Sequence, residues 1–149
     1  MSLVMNPKER EAFLAEAHIA VISIAEPGRA PLAVPIWYGY TPGGEVWVVT
    51  ERGSRKGRLL EQARRYSLCV QNERPPYRYV SVEGPIVAIE PSQLERHERP
   101  LAHRYLGRER GDAYIAATGG ADARGDNVVV RMLPERWLST DYGKQFGSS

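Results

Sequence analysis

Residues 18–50 read HIAVISIAEPGRAPLAVPIWYGYTPGGEVWVVT, and this stretch decides the fold. His18 to Ala25 is rich in Ile and Val and stops at Glu26-Pro27-Gly28-Arg29. Ala30 to Tyr40 is a second extended run that stops at Thr41-Pro42-Gly43-Gly44, and Glu45 to Thr50 is a third. Glycine and proline punctuate a chain because one tolerates positive φ and the other fixes φ and removes a donor. Three β-rich runs joined by tight turns predict an antiparallel meander, a unit that closes into a barrel.

Upstream, Asn6-Pro7-Lys8-Glu9 predicts a helix start with Asn6 as cap, followed by an apolar stripe of Phe13, Leu14 and Ala17. Downstream, Ser54 to Arg65 is helical in pattern, and Tyr66 to Gln71 and Tyr77 to Ile89 return to strand composition. Glu90 to Gly107 has a helical repeat that Pro100 divides or bends. A polar loop from Gly119 to Gly125 precedes a strand at Val128 to Val130; Arg136 to Tyr142 is the last strand, and the tail after it is expected to be loose.

The chain has 149 residues, 42% hydrophobic and 26% charged, which fits one domain over 1–149 with an ordered core of about 6–143. A net charge of +2 is too even for a surface that tracks nucleic acid or an anionic membrane, and the basic residues from Arg52 to Arg65 lack an interleaved stacking surface. The uncharged stretch Ala30–Gly44 contains three prolines and three glycines, so no transmembrane span is expected. The start reaches Lys8, Glu9 and Arg10 without an apolar region, which argues against a secretory signal and for the cytoplasm. The single cysteine, Cys69, excludes an intrachain disulfide and reads as a packed, inert thiol.

Chemistry concentrates in Val49-Thr50-Glu51-Arg52-Gly53-Ser54-Arg55-Lys56, which runs from a strand end into a helix start. Gly53 would let a ligand approach the backbone, Ser54 can cap the helix, and the first-turn amides carry the positive end of the helix dipole. Arg55 and Lys56 add two cations there, an arrangement the dipole disfavours by ~0.3–1 kcal/mol each unless an anion compensates. An anion site and a plainly capped, solvated helix both fit. Pro35 belongs at a strand edge, with or without a flat ligand against it. Trp37, Trp47 and Trp137 are candidate ring-side aromatics or core residues. Tyr77, Tyr79, Ser81 and Glu83 share one strand face, which suits a wet site or a dimer seam. His97 and His103 do not align on one helical face and no third ligand joins them, so a metal site is not expected. Neither a Gly-x-Ser-x-Gly elbow nor a paired acid and base is visible.

Gly53-Ser54-Arg55-Lys56 after its strand, then Leu59-Leu60 and Tyr66-Ser67-Leu68-Cys69-Val70, resembles the pyridoxamine 5'-phosphate oxidase-like split-barrel flavoproteins. Ala33-Val34-Pro35-Ile36-Trp37, Arg74-Pro75-Pro76-Tyr77-Arg78-Tyr79-Val80 with Val82-Glu83-Gly84, and Arg104-Tyr105-Leu106-Gly107 are most similar to the deazaflavin (coenzyme F420) oxidoreductase branch. The resemblance, carried by the order and spacing of these motifs from Phe13 to Tyr142, implies a mainly β (α+β) split β-barrel of about six antiparallel strands with flanking helices. It implies a homodimer with the cofactor between subunits and hydride transfer between F420 and a small organic substrate. FMN is the alternative cofactor, and a non-catalytic cofactor or haem-type binder is a third reading. Arg55 and Lys56 would hold the cofactor phosphate with Ser54 at the helix cap, Val49 and Thr50 would contact the cofactor, and Pro35, Ile36 and Trp37 would lie along its ring. Tyr79 would reach over from the partner subunit, and Trp137 is a further ring-side candidate. The chain ends without the arginine and histidine segment by which the vitamin B6 oxidases hold substrate phosphate, which puts that activity in doubt.

Overall fold

The Asn6-Pro7 start folds as read: in the computed structural model, which describes residues 2–118 and 125–146, Asn6 and Glu9 form a reciprocal capping box on helix α1 (Pro7–Ala15). Strands β1 (Ala20–Ile24) and β2 (Leu32–Ile36) form a hairpin with Ala20 opposite Ile36 and Ile24 opposite Leu32. The expected meander ends there. β3 (Gly39–Tyr40) and β4 (Val46–Glu51) pair with each other at the opposite edge of the sheet. The second extended run therefore breaks at Trp37 and Tyr38, whose partners lie outside the sheet. The Tyr38 amide donates to Tyr105 Oη at 3.2 Å and its hydroxyl donates to the Leu14 carbonyl at 2.6 Å. Burial holds that hydroxyl far above its ordinary pKa, so it stays a donor.

Helix α2 (Arg55–Ala63), β5 (Arg65–Gln71) and the long β6 (Arg78–Pro91) follow. The helical region then divides: a π-helical turn (Leu94–Glu98) leads into α3 (Arg99–Leu106), with Pro100 in the first turn, where its missing amide costs nothing. Helix α4 (Arg108–Ala117) has no counterpart in the sequence reading. β7 (Asn127–Met132) and β8 (Arg136–Asp141) complete the sheet. The polar loop expected over 119–125 falls, at 119–124, outside the described residues.

Eight strands, rather than about six, run in the order β2-β1-β5-β6-β7-β4-β3, with β8 also on β6. β6 joins two half-sheets. Its first half pairs with β5 on one side and β8 on the other, and its second half, past a bulge between Ile86 and Ala88, pairs with β7. The switch from β8 to β7 occurs at Gly84, where the β7–β8 connection lies so close that an added Cβ would run into the Leu133 carbonyl. Two backbone bonds fix that approach, Leu133 N to Pro85 O at 3.0 Å and Glu135 N to Glu83 O at 2.9 Å. The curled sheet is a split barrel with flanking helices. Inside it sit Ile22, Val48, Leu68, Val82 and Met132, all fully buried, together with Tyr66, whose hydroxyl donates to Val130 O at 3.0 Å.

Two further expectations are overturned. The segment after Tyr142 is not loose as far as residue 146: it forms a 3-10 turn (Tyr142–Phe146), and Lys144 Nζ bonds Val4 O at 3.2 Å and Glu9 Oε1 at 2.8 Å. Cys69 is not packed in the interior either, because strand alternation turns Leu68 and Val70 inward and leaves Cys69 exposed. Among the described residues no helix is long and apolar enough to cross a membrane.

Gly84→Ala should cost ~1–3 kcal/mol or more through overpacking against backbone that cannot yield. Urea unfolding measures this, and a loss below ~0.5 kcal/mol would show that the β7–β8 connection is free to move.

Candidate functional site

The turn from β4 into α2 is built by local hydrogen bonds. Ser54 caps the helix in extended conformation: its hydroxyl accepts from Gly57 N at 3.1 Å and donates to Glu51 O at 2.7 Å. Thr50, turned inward, lies 3.3 Å from the same hydroxyl. The glycine this turn requires is Gly57. A Cβ there would collide with the carbonyl oxygens of Glu51 and Arg52, whereas one on Gly53 would make only an ordinary 3.6 Å contact with Asp126. The intramolecular close approach of this turn is therefore at Gly57, while Gly53 leaves room on its own side. The amides of Arg55 and Lys56, in the first turn, have no acceptor within the helix.

The two cations then part. Arg55 reaches back to the β1–β2 turn and pairs with Glu26, whose carboxyl is held below its usual range by that guanidinium. Lys56 lines a cavity of about 400 Å³, together with Pro35, Ile36, Trp37 and Val49. Successive strand residues point to opposite faces, so Pro35, Ile36 and Trp37 can border one cavity only if it runs along the free edge of β2. β2 is indeed an edge strand, paired to β1 alone. An edge offers unpaired backbone donors and acceptors, and Pro35 removes one donor from it.

Helical elements form the opposite wall: Glu98 from the π-helical turn, Leu101 from α3, and Tyr114 and Ile115 from α4, with Asn127 at the start of β7. Trp37 stacks on Tyr105 with centroids 4.9 Å apart and planes 7° apart, and Tyr114 tilts against it at 5.6 Å. Tyr105 is itself tied down, donating to His18 O at 2.7 Å. Arg104 beside it donates to Ala15 O and Glu16 O, both at 2.9 Å, satisfying carbonyls at the end of α1. The Arg104-Tyr105 motif is thus a clamp between α3, α1 and the start of β1.

Of the residues singled out from sequence, Pro35, Ile36, Trp37, Val49 and Lys56 meet at the cavity, with Thr50 and Ser54 supporting it from behind. Arg55 is not among the lining residues and pairs with Glu26. Tyr79 and Trp137 are elsewhere in the chain. Tyr79 lies on the outward face of β6, opposite Gln71 and Thr140, and Trp137 lies under the Arg10 guanidinium, 4.6 Å from its ring centroid, with Tyr40 edge-on at 6.3 Å. Sequence reasoning missed Glu98, Tyr114, Ile115 and Asn127, which belong to elements it left undivided or unassigned.

A curled antiparallel sheet with a cavity along one edge and a cationic helix start beside it defines a split-barrel protein. The model of the pyridoxamine 5'-phosphate oxidase family matches residues 7–141, and the chain belongs to that family. Among solved structures, a conserved hypothetical protein from Mycobacterium tuberculosis superposes with a TM-score of 0.78 at 23% identity, over 99% of this chain and 91% of that one. An F420 reductase is similar at a TM-score of 0.71 and 20% identity, over 86% of this chain and 94% of that one. An FAD-binding protein from Mesorhizobium loti superposes at 0.62 and 17%, over 91% and 93%. No curated protein matches the chain.

Gly57→Ala should destabilise the protein by ~1–3 kcal/mol, while Gly53→Ala stays within ~0.5 kcal/mol. Denaturant unfolding of the two variants compares them; equal effects would refute the assignment of the close approach to Gly57.

Proposed function

We propose that this protein is a cytoplasmic oxidoreductase that transfers a hydride between a deazaflavin of the F420 type and a small organic substrate, acting as a homodimer. The observation that carries the reading is the run of cavity from the free edge of β2 to Lys56 at the start of α2. A flat heteroaromatic ring has hydrogen-bonding edges that suit an open strand edge, and a phosphate suits a helix start with an outward cation. The residues present fit such a group. Lys56 would hold the phosphate, Pro35 and Ile36 the ring edge, and Val49 and Trp37 the ring faces. Bound there, a reduced deazaflavin supplies a hydride from its own ring carbon. The chain's contribution is position, in a cavity whose helical wall is formed by Leu101, Ile115 and Tyr114.

The choice of F420 over FMN rests on the likeness of the Pro35-Ile36-Trp37 and Arg104-Tyr105 motifs and on the charge at the helix start. Arg55 pairs with Glu26, and among the described residues Lys56 is the cation that lines the cavity. One positive charge matches a singly charged phosphodiester better than the doubly charged monoester of FMN. A side-by-side titration with both cofactors decides, and tighter binding of FMN would make this an FMN enzyme.

Support for the dimer is a row across five strands on the outward face: Pro35, Val21, Cys69, Ser81 and Leu138 stand opposite one another in turn. Val21 is 41% and Leu138 62% exposed, which leaves apolar surface uncovered. The row ends at Pro35, so a second copy laid over it would border the cavity, with Tyr79 beside the seam.

Lys56→Ala should weaken cofactor binding at least tenfold, as expected for loss of a charge-assisted contact of ~1.5–3 kcal/mol. Unfolding of the free variant should show equal or greater stability, since a cation at the positive helix end is removed. Unchanged affinity would separate Lys56 from the phosphate.

Dimerisation should protect Cys69 from a thiol reagent as protein concentration rises, in parallel with the mass measured by light scattering. A monomer at micromolar concentration with freely reactive Cys69 would refute the shared site. Trp37→Leu should slow single-turnover hydride transfer ten- to a hundredfold at saturating cofactor, through misplacement alone.

A further inference from the structure

A second cavity, of about 180 Å³, lies where α1, the β3–β4 turn and the β7–β8 connection meet. It shares no lining residue with the cavity beside Lys56. Arg10 and Glu11 of α1 line it with Tyr40, and Leu133, Pro134 and Trp137 give it apolar surface. Arg10 is the charge in this wall that has no partner. Its guanidinium lies over the Trp137 ring, 4.6 Å from the centroid, and its Nε is sealed from water without an acceptor. Among the described residues nothing accepts from its terminal nitrogens either, whereas Arg55, Arg65, Arg99 and Arg131 each hold a carboxylate. An arginine cannot shed its charge, so these donors persist at every physiological pH. Stacking on Trp137 occupies the face of the guanidinium and leaves the fork of terminal nitrogens for a pair of oxygens.

Glu11 does not supply that pair. Its Oε1 accepts from Gly43 N at 2.7 Å and from the Tyr40 hydroxyl at 3.2 Å, and no ion pair joins it to Arg10 among the described residues. Burial pushes the Tyr40 pKa up to about 12, so that hydroxyl remains a donor to Glu11. We propose that this cavity binds a small monocarboxylate with a flat apolar body, its carboxylate on Arg10 and its body against Trp137, Pro134 and Leu133. Three features set that class. The unpartnered guanidinium calls for an anion with two oxygens. The volume of about 180 Å³ is below the ~300–1,000 Å³ of drug-sized ligand sites, which excludes a nucleotide or a flavin. Glu11 in the same wall disfavours a second negative charge, which separates a monocarboxylate from a dicarboxylate or a phosphate monoester. The site is independent of the cofactor cavity and of which cofactor fills it.

Isothermal titration of the full chain with benzoate, benzamide and isophthalate tests this. Benzoate should bind at least tenfold more tightly than neutral benzamide or doubly charged isophthalate, as expected for a charge-assisted contact. Arg10→Gln should weaken benzoate at least tenfold and leave benzamide within threefold, while Lys56→Ala, in the other cavity, should leave benzoate within threefold. Glu11→Gln keeps an acceptor for Gly43 and Tyr40 and should bring isophthalate to within threefold of benzoate. Benzoate that fails to saturate, that binds no tighter than benzamide, or that binds Arg10→Gln as well as the wild-type protein overturns the proposal. Loss of benzoate in Lys56→Ala would place it in the cavity along β2 and overturns the proposal too, and isophthalate still excluded from Glu11→Gln overturns the selection of a single charge. Should Arg10→Gln fail to fold, Arg10→Lys decides, since it keeps the charge without the fork: at least threefold weaker benzoate supports the site, and unchanged affinity refutes it.

Discussion

Everything in this fold hangs on one strand being shared. β6 pairs with β5 along one edge and with β8 and then β7 along the other, so both half-sheets curl away from it. That requires the chain between β7 and β8 to press against β6 at a single residue, and Gly84 supplies the space. The curl in turn sends β2 and β4 to opposite margins of the sheet, with the span across Trp37 and Tyr38 joining β2 to the hairpin of β4. A cavity bordered by the edge of β2 on one side and by Val49 and the start of α2 on the other is a product of that curvature.

Much of this was legible in the sequence, and its failures are instructive. The cap at Asn6, the hairpin turns and the long strand before Pro91 are local signals, and each appears where the residues put it. The break at Trp37-Tyr38 was not legible, since its cause is Tyr105, 67 residues away. Helix α4 was missed for another reason. Its sequence, RERGDAYIAA, has no apolar stripe and a glycine in the middle. Gly111 is there because α3 crosses so closely that a Cβ would meet Ala102 and His103. A helix selected for close crossing carries a packing signal, which periodicity does not detect.

The same limit governed the site. The Arg55-Lys56 pair stands out as two cations at one helix start, yet in the structure Glu26 from a distant turn pairs with one of them while the other lines the cavity. Glu98 carried no pattern at all. It looked like one acid among many in Glu95-Arg96-His97-Glu98-Arg99, and only the π-helical turn buries it while its neighbours stay nearer the surface. Charge in a sequence announces itself; direction does not.

The three tryptophans have been sorted by the fold into separate optical environments. Trp47 lies over Gly39 beside His97, and Trp137 sits beneath a guanidinium. Trp37 stands at the cavity with one face already covered by Tyr105. Its indole is held at a fixed angle before any ligand arrives, so its emission can serve as an internal gauge of occupancy. A ring whose absorption overlaps indole emission would draw energy from this indole first, and the fading of that light would time the filling of the site without any added label.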